Sequence, residues 1–396
     1  MESPAPTFEM NFREPTPKLT ELLNILITAG GSDLHIMTHT PPRVRIDGNL
    51  EPLNDFDPLQ PAGTKDLIYS ILSPDQIKRF EEKQTIDLSI TVKGLSRFRV
   101  NVFDHRSGIG AVLRAIPFTI ASAEELNVPQ AIIELANKPR GLVLVTGPTG
   151  SGKSTTLASL IDKINRERPV NIITVEDPIE FYHTHQRAQV IQREVHVNTE
   201  SFADATRAAV RQDPDIILIG ELRDLETIEQ AVRVAEMGHL TFGTLHTNTA
   251  ASTITRIIDV FPANQQAQIR TQLSNVLIGV MCQQLIPKAS GKGRIMAAEV
   301  MLPTPAIKNN IREDKIHQIP SIMSTGQDNH QMITLNQALA RLVANKTVTF
   351  EAAAARSDNS DELQSKVGAL RETEHSRVPH PAQLSQRPGV ERRPIR

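Results

Sequence analysis

One octapeptide restricts what this chain can fold into more than any other feature: Gly147-Pro148-Thr149-Gly150-Ser151-Gly152-Lys153-Ser154. It follows the apolar run Leu142-Val143-Leu144-Val145-Thr146 and precedes a stretch with helical spacing at 155–164. A G-x-x-x-x-G-K-[ST] pattern between a buried strand and a helix is a phosphate-binding loop. Its glycines let successive backbone N–H groups turn inward round phosphate oxygens, and the helix adds the positive end of its dipole. Lys153 is expected to reach the β- and γ-phosphates and Ser154 to ligate Mg²⁺, with Thr155 completing the nucleotide-contact set. An ordinary glycine turn is the bland alternative, and the strand and helix on either side weigh against it.

Downstream, apolar runs at 142–146, 170–175, 215–219 and 240–245 alternate with helical stretches, the signature of a parallel sheet in an α/β fold. Ligands of such sheets bind beyond the carboxyl ends of the strands, and the remaining polar motifs fall there. In Ile172-Ile173-Thr174-Val175-Glu176-Asp177-Pro178-Ile179-Glu180 a strand ends in two carboxylates. Glu176 is a candidate for the Mg²⁺ and water shell, because a hydrated Mg²⁺ takes one or two carboxylates; the alternative is a solvated turn acid. In Asp215-Ile216-Ile217-Leu218-Ile219-Gly220-Glu221 four aliphatics run into Gly-Glu. Glu221 is the leading candidate to polarise the attacking water, with Glu176 the competitor, since phosphoryl transfer asks the protein chiefly for positioning and charge. In Gly238-His239-Leu240-Thr241-Phe242-Gly243-Thr244-Leu245-His246-Thr247, histidines stand before and after a strand. His246, at the carboxyl end, is placed to meet a γ-phosphate; His239 has less geometric support, and a structural or exposed role is the alternative for each.

The residues before the loop have another style. A helix at 18–29 stops at Gly30-Gly31, Arg43-Val44-Arg45-Ile46 meets the hairpin signal Asp47-Gly48, and alternating runs follow at 86–92, 97–103 and 109–116. The expected division is a flexible start at 1–17, an α+β domain at 18–118, a linker at 119–130, an ATPase domain with C-terminal helices at 131–370, and a disordered tail at 371–396. With 43 basic and 45 acidic side chains the net charge is -2, so no global field recommends nucleic acid as a partner. Cys282 is the single cysteine, which excludes an internal disulfide framework and a multi-cysteine zinc cluster. The sequence shows neither a secretory signal nor the ~20 apolar residues of a membrane span. The expected location is cytoplasmic, with work at a membrane done by docking and without direct insertion.

Together, in this order and spacing, these segments resemble the secretion ATPase superfamily over residues 18–365. Residues 147–154 resemble its Walker A, 172–180 its aspartate box, 215–221 its Walker B and 238–246 its histidine box. The resemblance implies a RecA-like P-loop ATPase core preceded by a PAS-like α+β N-terminal domain, ATP and Mg²⁺ as nucleotide and metal, and a homo-hexameric ring. It also implies that arginines of the N-terminal domain complete the nucleotide site. Arg99 in Ser96-Arg97-Phe98-Arg99-Val100-Asn101 and Arg114 in Val112-Leu113-Arg114 are the candidates, the alternative being arginines on the polar face of an antiparallel sheet. Ala306-Ile307-Lys308-Asn309-Asn310-Ile311-Arg312-Glu313 resembles the AIRNLIRE motif of the pilus retraction branch and departs from it at Lys308 and Asn310.

The implied activity is an ATP-driven motor for type IV pilus retraction and twitching motility, peripheral at the inner membrane. Its implied partners are a membrane platform protein and a paralogous ATPase. An accessory retraction paralogue and a pilus-assembly or type II secretion ATPase are the alternatives; the latter typically carries a tetracysteine zinc module, for which one cysteine is too few. A regulatory subunit without turnover and a DNA translocase are opposed by the intact Lys153, Glu176 and Glu221 and by the balanced charge.

Overall fold

The computed structural model describes residues 14–46, 48–116, 119–325 and 331–377. The expected flexible start and disordered tail lie mostly outside these residues, as does Asp47 of the hairpin signal. Pro17 nevertheless opens the first helix, and the last helix runs to Arg377, past the expected start of the tail.

The first elements are α1 (Pro17–Thr28), β1 (Asp33–Ile36), β2 (Arg43–Ile46), β3 (Asn49–Pro52), α2 (Pro61–Tyr69), α3 (Pro74–Lys83), β4 (Thr85–Val92), β5 (Ser96–His105) and β6 (Gly108–Ile116). The six strands form one antiparallel sheet in the order β3-β2-β1-β6-β5-β4. Gly48, at φ +91°, turns the chain between β2 and β3, a conformation that costs glycine little. Strand periodicity sends Leu34, Ile36, Phe98, Val100, Val102 and Leu113 to one face, where they pack with Leu19, Leu22, Leu23 and Leu26 of α1. The opposite face carries Asp33, Arg97, Arg99 and Arg114.

The chain continues through α4 (Gln130–Leu135), β7 (Gly141–Thr146), α5 (Lys153–Glu167), β8 (Asn171–Glu176), β9 (Gln189–Glu194), α6 (Phe202–Ala209), β10 (Ile216–Ile219), α7 (Leu225–Glu236), β11 (Leu240–Leu245), α8 (Ala250–Asp259) and α9 (Ala263–Val276). Then come β12 (Leu277–Pro287), β13 (Arg294–Met301), α10 (Pro305–Arg312), a 3-10 turn (Ile316–Gln318), α11 (Ile319–Thr325), α12 (Leu335–Ala344), α13 (Phe350–Ala354) and α14 (Ser360–Arg377). The second sheet has the order β13-β12-β7-β11-β10-β8-β9 and is parallel except where β13 returns beside β12. Helices cover both faces: α5 packs on one core, while α7, α8 and α9 pack on the other. Every residue of β7 and β11 is buried, which is why those strands read as unbroken apolar runs.

Three strands of this sheet go beyond the four expected. β9 is an edge strand of sequence QVIQRE with partly exposed positions, too polar to stand out. Helix α9 ends at Val276 and β12 begins at Leu277 with no loop between them, so no turn residue marks the change of period. β12 occupies the place beside β7, and β13 pairs with it.

Candidate active site

The glycine loop leaves the carboxyl end of β7 with Gly147, Gly150 and Gly152 at φ +142°, +77° and +89°. A Cβ on Gly147 would stand 2.3 Å from the backbone oxygen of Gln283 in β12, so only glycine fits there. The buried Gln283 side chain donates from Nε2 to the Ser151 carbonyl at 2.7 Å. The loop is thus seated on β12 by contacts that its own motif does not reveal. Lys153 opens α5, and its Nζ donates back to the carbonyls of Gly147 (2.8 Å) and Pro148 (3.2 Å). Burial lowers the Lys153 pKa, while the charges of Glu221 and Glu180 act in the opposite sense. Thr149, Gly150 and Ser154 are exposed at the mouth of the loop, with Thr155 half-buried behind them.

Gly147→Ala combines a backbone conformation reserved for glycine with a clash against main chain. It is expected to destabilise the fold by about 3 kcal/mol, read as a fall in chemical-denaturation midpoint at unchanged slope.

Glu176 closes β8. Its Oε1 accepts from the Thr174 hydroxyl at 2.6 Å and from Gln192 Nε2 of β9 at 3.1 Å. Burial pushes its carboxyl up to about 7, partly offset by those two bonds. Because the Thr174 bond favours the ionised form, Thr174→Val, which keeps the shape of the buried side chain, should raise the Glu176 pKa further. If turnover requires the carboxylate, the acid limb of the kcat–pH profile moves to higher pH by about one unit, the scale of a lost hydrogen bond to a charge. An unmoved limb assigns that titration to another group.

Glu221 follows β10 and is held by backbone on both sides. The Gly220 amide donates to the Val175 carbonyl of β8 at 2.7 Å, and the Leu222 amide donates to the Thr244 carbonyl of β11 at 2.9 Å. A Cβ on Gly220 would lie 3.0 Å from that same Val175 oxygen. The Glu221 Oε1 meets His246 Nε2 at 3.1 Å and is also paired with Arg223 Nε. That bond to Glu221 raises the Arg223 pKa. One carboxylate therefore joins the end of β10 to the residue that follows β11, within electrostatic reach of the loop lysine.

His239 does not join this group. The β7–β11 register pairs Leu245 with Thr146 at the loop end and Leu240 with Gly141 at the other. His239 thus precedes β11 at the edge away from the loop, a six-residue strand of about 20 Å away. Two histidines that bracket one strand cannot both reach the same end of it.

Arg99 and Arg114 are cross-strand partners on β5 and β6. Arg114 Nε is bonded to Asp33 Oδ1 at 2.8 Å with its side chain 63 % exposed; Arg99 is half-buried. Among the described residues, neither bonds to the glycine loop of its own chain. The arginine that does bridge the two sheets is Arg97, two residues before Arg99 on the same face. It is buried, meets Glu194 Oε2 of β9 at 3.4 Å, and lies over the Tyr182 ring 4.1 Å from its centroid while bonding the Tyr182 hydroxyl. Burial brings its guanidinium down to about 10, so it remains a cation at neutral pH. Sequence alone does not separate Arg97 from Arg99, since both occupy one face of one strand. Nor does it single out Thr174, Gln192, Arg223 or Gln283 as site residues.

The family profile described as "Type II/IV secretion system protein" matches residues 16–374. The chain belongs to this family. Among relatives in the type II/IV secretion system family, it is 49 % identical to the type IV pilus retraction ATPase PilT of Pseudomonas aeruginosa over 333 residues, 84 % of this chain and 96 % of that protein. It is 39 % identical to the type IV pilus ATPase PilU of the same organism over 357 residues, 90 % of this chain and 93 % of that protein. A solved structure of the pilus retraction motor PilT with bound ADP superposes with a TM-score of 0.80 at 48 % identity, covering 87 % of this chain and 99 % of that one. The expected RecA-like core and the assignment as a nucleotide-using ATPase of the secretion superfamily both hold.

Proposed function

We propose that this chain is the ATP-hydrolysing subunit of a motor that powers type IV pilus retraction. The observation that carries the proposal is the convergence of Lys153, Glu176, Glu221 and His246 at the carboxyl ends of β7, β8, β10 and β11, in a chain similar over most of its length to a retraction ATPase. Residues 147–155 cradle the phosphates, Lys153 neutralises the β- and γ-oxygens, and Glu221 orients and polarises the attacking water. His246, bonded to Glu221, meets the γ-phosphate side of the site. Mg²⁺ fits the donors present, because the exposed Ser154 hydroxyl and the Glu176 carboxylate are hard oxygen ligands of the kind it shares with substrate phosphates. Bound there, it would neutralise charge on the transferring phosphoryl group.

The polar face of the N-terminal sheet presents Arg97, Arg99 and Arg114. Arg97 is engaged within the chain, whereas the exposed Arg114 is free to face a neighbouring subunit beside its Asp33 partner. In a homo-hexamer such a face can place positive charge against the next subunit's γ-phosphate. We place the ring at the cytoplasmic side of the inner membrane, acting on a platform protein and working with a paralogous ATPase. Among the described residues no helix is long and apolar enough to cross a membrane, in keeping with docking onto other proteins. An accessory, PilU-like role is the second reading. It is favoured by Lys308 and by Asn310, which places an amide at a buried position of α10.

Deletion of this gene, and complementation of the deletion strain with it, test the proposal. Wild-type chain is expected to restore retraction and twitching. Retraction that continues in the uncomplemented strain, or piliation restored without retraction, overturns it.

A further inference from the structure

Glu299 lies in β13, buried, with no part in the site described above. Its Oε1 accepts from the Ala250 amide at 2.7 Å and its Oε2 from the Leu335 amide at 3.3 Å. These are the first residues of α8 and α12, two helices far apart in the sequence. Each helix has its own side-chain cap, but the caps take other amides: Thr249 Oγ1 accepts from Ser252 N and Thr334 Oγ1 from Gln337 N. The first amide of each helix would otherwise be unsatisfied, and one carboxylate satisfies both. Two helix starts carry about half a positive charge each, so together they balance one buried anion. Burial raises the Glu299 pKa, and the two amide bonds act against that.

Both ends of this bridge lead somewhere functional. Helix α8 opens at Ala250, a short step along the chain from His246 of the active site, and the intervening Thr247 hydroxyl meets Thr253 of α8 at 2.7 Å. Helix α12 belongs to the C-terminal core with Leu339, Val343 and Leu363, and this core also packs Ile286 of β12 and Ala297 of β13. Val300, next to Glu299, exchanges both backbone bonds with Ile333, just before α12.

We propose that Glu299 is a positioning residue for hydrolysis: by holding the starts of α8 and α12 together, it fixes His246 against Glu221 and ties that setting to the C-terminal helices. The proposal rests on the role given above to His246.

Glu299→Gln keeps the volume but sets an amide NH₂ against one of the two N–H donors. In the full-length protein kcat is expected to fall about tenfold, with the KM for ATP and the affinity for ADP changed less than about twofold, because the hydrogen bonds of Glu299 go to α8 and α12 and not to the phosphate loop. In a His246→Ala background the same substitution should cost little more, since both act through one contact. A merely structural residue would instead multiply the His246→Ala loss, and multiplicative effects, or unchanged kcat, overturn the proposal. Wild-type kcat in His246→Ala alone sinks the role of His246, a separate result. Hydrogen exchange on the chain with Glu299 intact gives an arm independent of whether Glu299→Gln folds. Peptides containing Ala250 and Leu335 should change protection together between the chain bound to ADP and the same chain bound to a non-hydrolysable ATP analogue. A Leu335 peptide indifferent to the nucleotide overturns the proposal as well.

Discussion

Lys153→Ala is expected to remove ATP turnover and pilus retraction together while leaving the fold intact. In the loop, Lys153 is held by the carbonyls of Gly147 and Pro148, so its ammonium stands where phosphate oxygens would arrive, half-buried and therefore poorly screened. A charge-assisted contact in such a setting is worth several kcal/mol more than an exposed one. Its loss should cost about a hundredfold to a thousandfold in kcat/KM. Stability without nucleotide should change little or rise, because burial already opposes the charged lysine and alanine removes that cost. Paired measurements decide: phosphate release and ADP affinity on one side, the thermal midpoint without nucleotide on the other. Turnover within about tenfold of wild type would remove Lys153 from its role.

Glu221→Gln should separate binding from chemistry. The amide keeps the length and can still accept one hydrogen bond, but it cannot take a proton or carry the charge that pairs with Arg223 and His246. A lost general base or water-orienting carboxylate costs about a hundredfold to ten-thousandfold in rate. ATP affinity should hold or improve, so the variant traps the bound state. Glu221→Asp, shorter by one methylene, should retain part of the rate if backbone contacts on both sides of Glu221 set its direction. Equal loss in Glu176→Gln together with a mild effect in Glu221→Gln would exchange the two roles.

Much of this site can be read from sequence because its parts are local. A phosphate loop is defined within eight consecutive residues, and Glu176, Glu221 and His246 each stand at or just beyond the end of a strand whose apolar run is visible. What cannot be read depends on which strands lie side by side. Thr174 and Gln192 hold Glu176 through the β8–β9 pairing, and Gln283 seats the loop because β12, not an expected strand, stands next to β7. His239 belongs to the same short motif as His246 but, within its own chain, to the opposite edge of the sheet. Arg97 and Arg99 share a face, and only the packing of the two sheets shows that Arg97 meets Tyr182 and Glu194.

The hairpin of β12 and β13 also has a mechanical consequence. β12 touches the glycine loop at Gln283, and its far end, with Ile286, is embedded in the C-terminal helical core beside Ala297 of β13. Antiparallel strands joined by eight consecutive register pairs resist stretching along their length far better than a loop does. A load borne by the C-terminal helices would therefore reach the glycine loop along this pair of strands. Tension on the motor can then alter how readily nucleotide is held or released, so stalling force and ATP affinity should be properties of one another.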